Sequence, residues 1–394
     1  MKAIKIKKEG SIWSSLLPLT IAVCLLFSLI SISLFQIFLF LAFIFWTITL
    51  ARRERELSFP SFFWPLLIYA ALSLVSSFFS VNPEMSLKDS RELLLYAIIP
   101  IVYTGFAKEI DITRANLALL ASASASAVYS IFYYFFKSSP GERTSGFMGH
   151  YMTQAGLLVL FGAVALSMLF FSREKIRFLW ALSFVLALAA LILTLTRSAW
   201  IGLIVALCLI LLFWKPLTLV IVPLGLGLLF LLSPQHIKQR AVSIFSLKGY
   251  SNQQRIEYFR AGINIIRDFP LLGTGPDTVD MVFQNPKYGL SAEAKRNVHL
   301  HNNFIQIAAE RGIATFLVWL IFIGWTFISL CGLLRNKDPS LRTLTVAALA
   351  SLAALVVEGL FEYNFADSEI TTLFLYLVTV PFSLFGIQKR GSRN

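Results

Sequence analysis

Long apolar tracts alternate with short polar or charged connections along this chain, and one long polar stretch, residues 234–311, interrupts the alternation. A bilayer core about 30 Å thick needs about 20 apolar residues per helical crossing. On that measure the pattern predicts about twelve spans, near 12–30, 33–50, 59–80, 92–107, 115–136, 152–171, 177–196, 198–214, 216–233, 312–334, 342–362 and 369–387. The first two form one apolar tract that suits only a helical hairpin. Little more than Thr196-Arg197-Ser198 separates the seventh from the eighth. The expected fold is an all-α polytopic membrane protein in three parts. These are a transmembrane region over 1–233 (about nine spans), a partly helical polar loop over 234–311, and a C-terminal transmembrane region over 312–394 (about three spans).

Inside the polar loop, Gln253–Phe269 reads as an amphipathic helix whose apolar face is Ile256, Phe259, Ile263 and Ile266. Pro270 ends it and Gly273-Thr-Gly275-Pro276 forms a turn. That turn lacks the third glycine and the βαβ context of a dinucleotide fingerprint. Arg260 and Arg267 flank the apolar stripe, where they can rest on lipid headgroups or meet an anionic ligand. Arg255 lies on another side, with Tyr258 one turn later, and reads as ligand-facing. His299-Leu-His301-Asn-Asn303 closes the loop ahead of a short helix over 304–312, and Asn302 or Asn303 is expected to cap it.

Composition agrees with the membrane reading: 57% of the 394 residues are hydrophobic and only 14% charged, where soluble domains carry nearer a quarter charged. A formal net charge of +13 would suit a nucleic-acid binder, but its distribution argues otherwise. With the N-terminus in the cytoplasm, 19 of the 34 Lys and Arg fall in cytoplasmic segments. Only 5 fall in the short outside connections, and the remaining 10 lie in the long loop, which largely escapes the positive-inside rule. Both termini are therefore expected in the cytoplasm. The outside face then collects 81–91, 137–151, 196–198, 234–311 and 363–368, and with them Arg143, Arg197, Arg255 and His301. Cys24, Cys208 and Cys331 lie within apolar runs and read as packing residues. The basic N-terminus resembles a signal peptide, but no A-x-A-like cleavage site follows, so it reads as retained spans.

An outside Arg197 in so short a turn runs against the charge trend. It is either an interfacial snorkelling residue or a guanidinium whose donor fork matches phosphate oxygens. Arg143, in the turn from Gly141 to His150, is a second anion contact unless Glu142 or a headgroup neutralises it. His236 reads as an ordinary loop residue, and His301 as a general base or a structural histidine. A metal site is not expected, because no DxD, HExxH or cysteine cluster accompanies His299 and His301. The acidic turn Glu358–Glu369 can pair with loop arginines or contact a sugar. The alternating Ala and Ser over 121–127 suit close helix packing.

Thr-Arg197-Ser, then Arg255-x-x-Tyr258 through Pro270-Leu-Leu-Gly273-x-Gly275, then His301-Asn302 with Gly312 after nine intervening residues, resemble the O-antigen ligase superfamily. The Arg143-x-x-Gly146-Phe turn also looks like a family feature. The resemblance covers most of the chain in topology. Thr315 stands where the ligase pattern carries a second glycine, so ligase and polymerase readings both stay open. The resemblance implies a bacterial inner-membrane, metal-independent, inverting glycosyltransferase of the GT-C type that needs no cofactor and acts on the periplasmic side. Its donor would be a glycan on undecaprenyl pyrophosphate, and its acceptor, in a ligase, lipid A–core oligosaccharide. His301, Arg197 and Arg255 would then be catalytic, and Arg143, Tyr258, Arg260 and Asn302 substrate-binding. An O-antigen polymerase or a protein O-oligosaccharyltransferase would use the same donor. A secondary transporter also has about twelve spans, but this chain shows no internal repeat and few ionisable residues within its spans.

Overall fold

The computed structural model describes residues 11–137, 142–173, 175–246 and 249–391. Among these, sixteen α-helices follow in chain order, with short 3-10 segments in some of the connections. They are α1 Ile12–Phe27, α2 Ile32–Ala51, α3 Phe63–Phe78, α4 Pro83–Asp89, α5 Ile98–Gly105, α6 Glu109–Phe136, α7 Tyr151–Phe171 and α8 Arg177–Leu193. The chain continues through α9 Arg197–Trp214, α10 Ile221–Leu232, α11 Gln235–Val242, α12 Tyr250–Asp268, α13 Val279–Phe283, α14 Asn303–Leu333, α15 Pro339–Glu358 and α16 Ser368–Gly391. Among the described residues there is no strand, as the hydropathy pattern requires of a polytopic α-helical membrane protein.

Among the described residues, seven helices are long and apolar enough to cross a bilayer: α2, α6, α7, α9, α14, α15 and α16. Shorter apolar helices occur at Ile12–Phe27, Phe63–Phe78, Arg177–Leu193 and Pro216–Leu232. The span expected over 92–107 takes another form. Ser90–Ala97 is a 3-10 helix and α5 adds only eight residues, every one of them buried. The 3-10 helix runs directly into α5, and together they reach about 28 Å, close to the thickness of a bilayer core. Its second half, α5, is enclosed by α1, α2 and α16.

Helices α7, α15 and α16 form the centre of the bundle, with α9 against α7 and α15, and α1, α6 and α8 wrapped around them. The alternating Ala and Ser of α6 let its neighbours approach closely. Ala123 and Ala127 are fully buried, Ser122 Oγ accepts from the Leu29 amide at 3.0 Å, and Ser124 Oγ meets Ser183 Oγ at 2.7 Å.

A second, smaller core lies in the polar segment, where Tyr258, Ala261 and Ile265 of α12 pack with Val279, Phe283, Tyr288, Leu300 and Ala309. The helix forms where the sequence places it, but its buried side is not the expected stripe. Ile256 and Phe259 are 39% and 52% exposed, and the contact side is Tyr258, Ala261, Gly262 and Ile265. Gly262 decides this, because a Cβ there would stand 2.1 Å from Ile305 Cγ2. Only glycine lets α12 press so closely onto α14.

The Gly273-Thr-Gly275 turn is the other fastening. Thr274 N donates to Ala309 O at 2.9 Å and Gly275 N to Glu310 O at 2.8 Å, just before a kink in α14 at Gly312 (φ 80°, ψ 166°). The polar segment is thus stapled to the start of a long membrane helix, immediately after the His-Asn-Asn sequence.

Candidate active site

Two polar cavities lie on either side of the loop that carries His299 and His301. The first, about 540 Å³, is lined by Arg143, Arg197, Arg240 and Arg255 together with Tyr258 and His301, and no carboxylate lines it among the described residues. The second, about 290 Å³, is lined by His299 and by Asp89, Asp277, Glu310, Glu362 and Asp367. Met152 borders both.

The arginines reach the first cavity from separate parts of the fold. Arg197 opens α9 after a tight turn in which Leu195 adopts φ 52°. It is 7% exposed, and its fork is engaged: Nη1 donates to Ser243 O at 2.7 Å and to Ser243 Oγ, and Nη2 to Ser251 Oγ and to Asn252 Oδ1 at 2.9 Å. All these partners are neutral, so its charge stays uncompensated while it ties α9 to the end of α11 and the first turn of α12. Arg240, on α11, donates through Nε to Leu195 O at 2.9 Å. Arg255 donates no hydrogen bond within the described residues, and Arg143 lies over the Tyr151 ring at 4.3 Å.

Burial, together with the nearby charges of Arg143, Arg197 and Arg255, lowers the Arg240 guanidinium to about 10. Arg255 is lowered by burial and by Arg143, against the pull of Glu362. Like charges gathered without a counter-ion are costly, and the cavity becomes favourable once an anion enters it.

His301 sits on the wall of this cavity with φ 50°, a left-handed backbone uncommon for a residue with a side chain. Its Nδ1 lies 3.0 and 3.2 Å from the two carboxylate oxygens of Glu362. Burial alone would raise the Glu362 carboxyl, but His301, His299 and Arg255 outweigh it and hold the group at about 2. His299 is lowered too, to about 4, but there burial is the cause and outweighs the Glu362 charge. Across the second cavity, burial and neighbouring Glu369 push Asp367 up to about 7. Burial with Asp89 and Asp280 pushes Asp277 to about 6.

Residues 182–320, about a third of the chain, match the family model described as O-antigen ligase. The match supports the O-antigen ligase superfamily. No curated protein matches the chain. With the helical bundle, the family supports a multi-pass membrane glycosyltransferase of the O-antigen ligase or polymerase kind. The matched stretch contains Arg197, Arg240, Arg255, Tyr258 and His301, whereas Arg143 and Glu362 lie outside it.

Of the residues singled out from the sequence, Arg143, Arg197, Arg255, Tyr258 and His301 meet at one cavity of this O-antigen ligase-like chain. Tyr258 is buried, with its hydroxyl donating to Ala294 O at 2.9 Å and its ring 5.5 Å from that of His301. Two others lie elsewhere. Arg260 is exposed on α12, and Asn302 caps α14, its Oδ1 accepting from the Phe304 and Ile305 amides and its Nδ2 donating to Leu360 O.

Sequence reasoning missed Arg240 and the specific part played by Glu362. Arg240 is one of many basic residues in a charged loop, and nothing local sets it apart. The acidic turn did carry a signal, but its partner is a histidine 61 positions earlier. The metal question also changes. Among the described residues, His299, His301 and Glu362 bring one ligand atom each to within 4.8 Å of one another, and these three are the ones able to hold an ion.

One apolar feature adjoins the basic cavity. A groove of about 560 Å³ runs between α8, α9, α10 and α11, lined by Leu188, Trp200, Ile204, Phe230, Ile237 and Phe245 among others. Helix α11 is the shared wall: Arg240 and Ser243 border the cavity, and Ile237, Ala241 and Val242 border the groove.

Proposed function

We propose that the chain is an O-antigen ligase that transfers a glycan from undecaprenyl pyrophosphate to lipid A–core oligosaccharide. The reaction would be metal-independent and inverting, at the periplasmic face of the bacterial inner membrane, with both termini in the cytoplasm. The observation that carries this reading is the cavity walled by four arginines, without a lining carboxylate, beside a lipid-sized apolar groove. An amphiphile with an anionic head fits that pair: the diphosphate in the cavity and the isoprenoid in the groove.

A glycosyl diphosphate is already activated, so the chemistry needed is charge stabilisation on the leaving group and deprotonation of the acceptor. The acceptor hydroxyl attacks C1, the C1–O bond to phosphate breaks with its electron pair passing to the diphosphate, and the hydroxyl proton passes to His301. Arg255 and Arg240 have donors to spare for the diphosphate. Arg197 adds charge and holds the α11–α12 connection in place. The acceptor hydroxyl would meet His301 at the wall of the basic cavity, which that residue lines. The residue division 1–233, 234–311 and 312–394 follows the same scheme: a bundle that binds lipid, a cap that carries the catalytic loop, and a closing set of helices.

The test is transfer by the purified, detergent-solubilised chain from a lipid-linked glycan to lipid A–core. Arg255→Ala and His301→Ala should each lower turnover at least 100-fold while the protein still inserts, and excess EDTA should leave activity intact. Full activity of His301→Ala removes it as the base, and metal-restored activity after EDTA assigns the His299, His301 and Glu362 group to an ion. A polymerase would extend a second lipid-linked glycan, and a protein O-oligosaccharyltransferase a Ser or Thr hydroxyl, so the product formed separates the three.

A further inference from the structure

Glu362 is the one carboxylate in hydrogen-bond contact with His301 among the described residues, and the two lie 61 positions apart. Their meeting is built by the residues that follow His301. Asn303 N donates to Gly359 O at 2.7 Å, Asn303 Nδ2 to Asn364 Oδ1 at 2.7 Å, and the Phe365 amide to Asn303 Oδ1 at 3.2 Å. Asn302 adds its bond to Leu360 O at 2.8 Å. Two consecutive asparagines therefore clamp both sides of the turn that presents Glu362, and Gly359 leaves room for the clamp, since a Cβ there would stand 2.2 Å from Asn303 Nδ2.

The clamp settles which imidazole nitrogen is available. Both Glu362 oxygens are near Nδ1, at 3.0 and 3.2 Å, whereas His299 Nε2 is 3.6 Å from the same carboxylate, beyond a hydrogen bond. A carboxylate beside Nδ1 fixes the proton on that atom and leaves the lone pair on Nε2. Nε2 makes no hydrogen bond within the described residues. The charged and titratable groups around the pair are His299 in the same loop, Arg255 and Tyr258 of α12, His150 ahead of α7 and Glu358 at the end of α15.

We infer that Glu362 is a positioning residue for glycosyl transfer, holding His301 with Nε2 bare and facing the acceptor hydroxyl, and then partnering the imidazolium that forms. This inference rests on the reading of His301 as the base. In the step, the acceptor O–H proton moves to His301 Nε2 as the acceptor oxygen bonds to C1, and the diphosphate leaves with the C1–O electron pair. Glu362 stays ionised throughout and neither gains nor loses a proton. Its part is to keep the ring in one tautomer and orientation, and to lower the energy of the cationic ring.

The experiment measures kcat and donor KM for the full chain in detergent, with Glu362→Gln, Glu362→Asp, His301→Ala and the double variant Glu362→Gln/His301→Ala. Glu362→Gln should lower kcat 10- to 100-fold with donor KM within two-fold. Glu362→Asp, which keeps the charge, should recover at least part of the loss. The double variant should be no slower than His301→Ala alone, because a positioning residue has nothing left to act on.

Wild-type kcat in Glu362→Gln overturns the inference. So does a double variant slower than His301→Ala by the full factor of the Gln substitution, or a loss that appears in both Gln and Asp together with a lowered melting temperature. Full activity of His301→Ala would instead defeat the base assignment itself, whatever Glu362 does.

Discussion

Gly312 lies where the membrane helix α14, the Gly273-Thr-Gly275 turn and the His299–His301 loop are joined, and replacing it by alanine tests that junction. Its φ of 80° and ψ of 166° fall in a region that residues with a Cβ essentially avoid, at about 1–3 kcal/mol. A Cβ would also stand 2.0 Å from Leu271 O, a backbone atom with no freedom to swing aside. Relief requires the turn to lift away, which endangers the bonds from Thr274 N to Ala309 O, Gly275 N to Glu310 O and Ile313 N to Pro270 O. Each contributes about 1 kcal/mol, so the total for Gly312→Ala is on the order of 4 kcal/mol. Asn302 caps the same helix and His301 directly precedes it, so transfer should fall along with stability. The assay is thermal unfolding in detergent followed by intrinsic fluorescence, paired with turnover. Gly324→Ala is the control on the same helix, since a Cβ there meets nothing within 4 Å, and it should melt no lower than the unaltered chain. If Gly312→Ala melts and turns over like Gly324→Ala, the stapled junction is not what holds the His299–His301 loop.

Arg240→Ala should raise donor KM at least ten-fold, and Arg240→Lys should recover charge but not the bond to Leu195 O, leaving an intermediate value; steady-state kinetics with a lipid-linked donor measure both. Acid should weaken the fold through His299 and Glu362 in turn. His299 is held at about 4, below its ordinary 6.5, so stability falls as pH drops from 6.5 towards 4. Glu362 is held at about 2, below 4.5, so its contribution, at most about 3 kcal/mol, is complete above 4.5 and disappears as pH falls towards 2. Melting temperatures from pH 7 to 3 should therefore decline, and Glu362→Gln should lack the part below 4.5.

Hydrophobic patterning alone determines that this chain is a helical membrane protein, because a bilayer demands runs of about 20 apolar residues whatever the helices then pack against. It also places α12, the end of that helix at Pro270 and the cap of α14, which depend on neighbours a few positions away. Apolar composition is the same for a lipid-facing helix and an enclosed one, so the enclosure of α5 left no mark in the hydropathy pattern. Gly262 likewise turned α12 onto its small-residue side, a choice made by α14 and invisible in the helix's own periodicity. Charge counting brought Arg143, Arg197, Arg255 and His301 to one side, and the structure brings them to one cavity. Tertiary structure alone decided that Arg197 is tied up by Ser243, Ser251 and Asn252, that Arg240 joins the cluster, and that Glu362 stands behind His301. The reason is physical: a hydrogen bond between side chains 61 residues apart depends on how helices pack, and packing leaves no local mark on either partner.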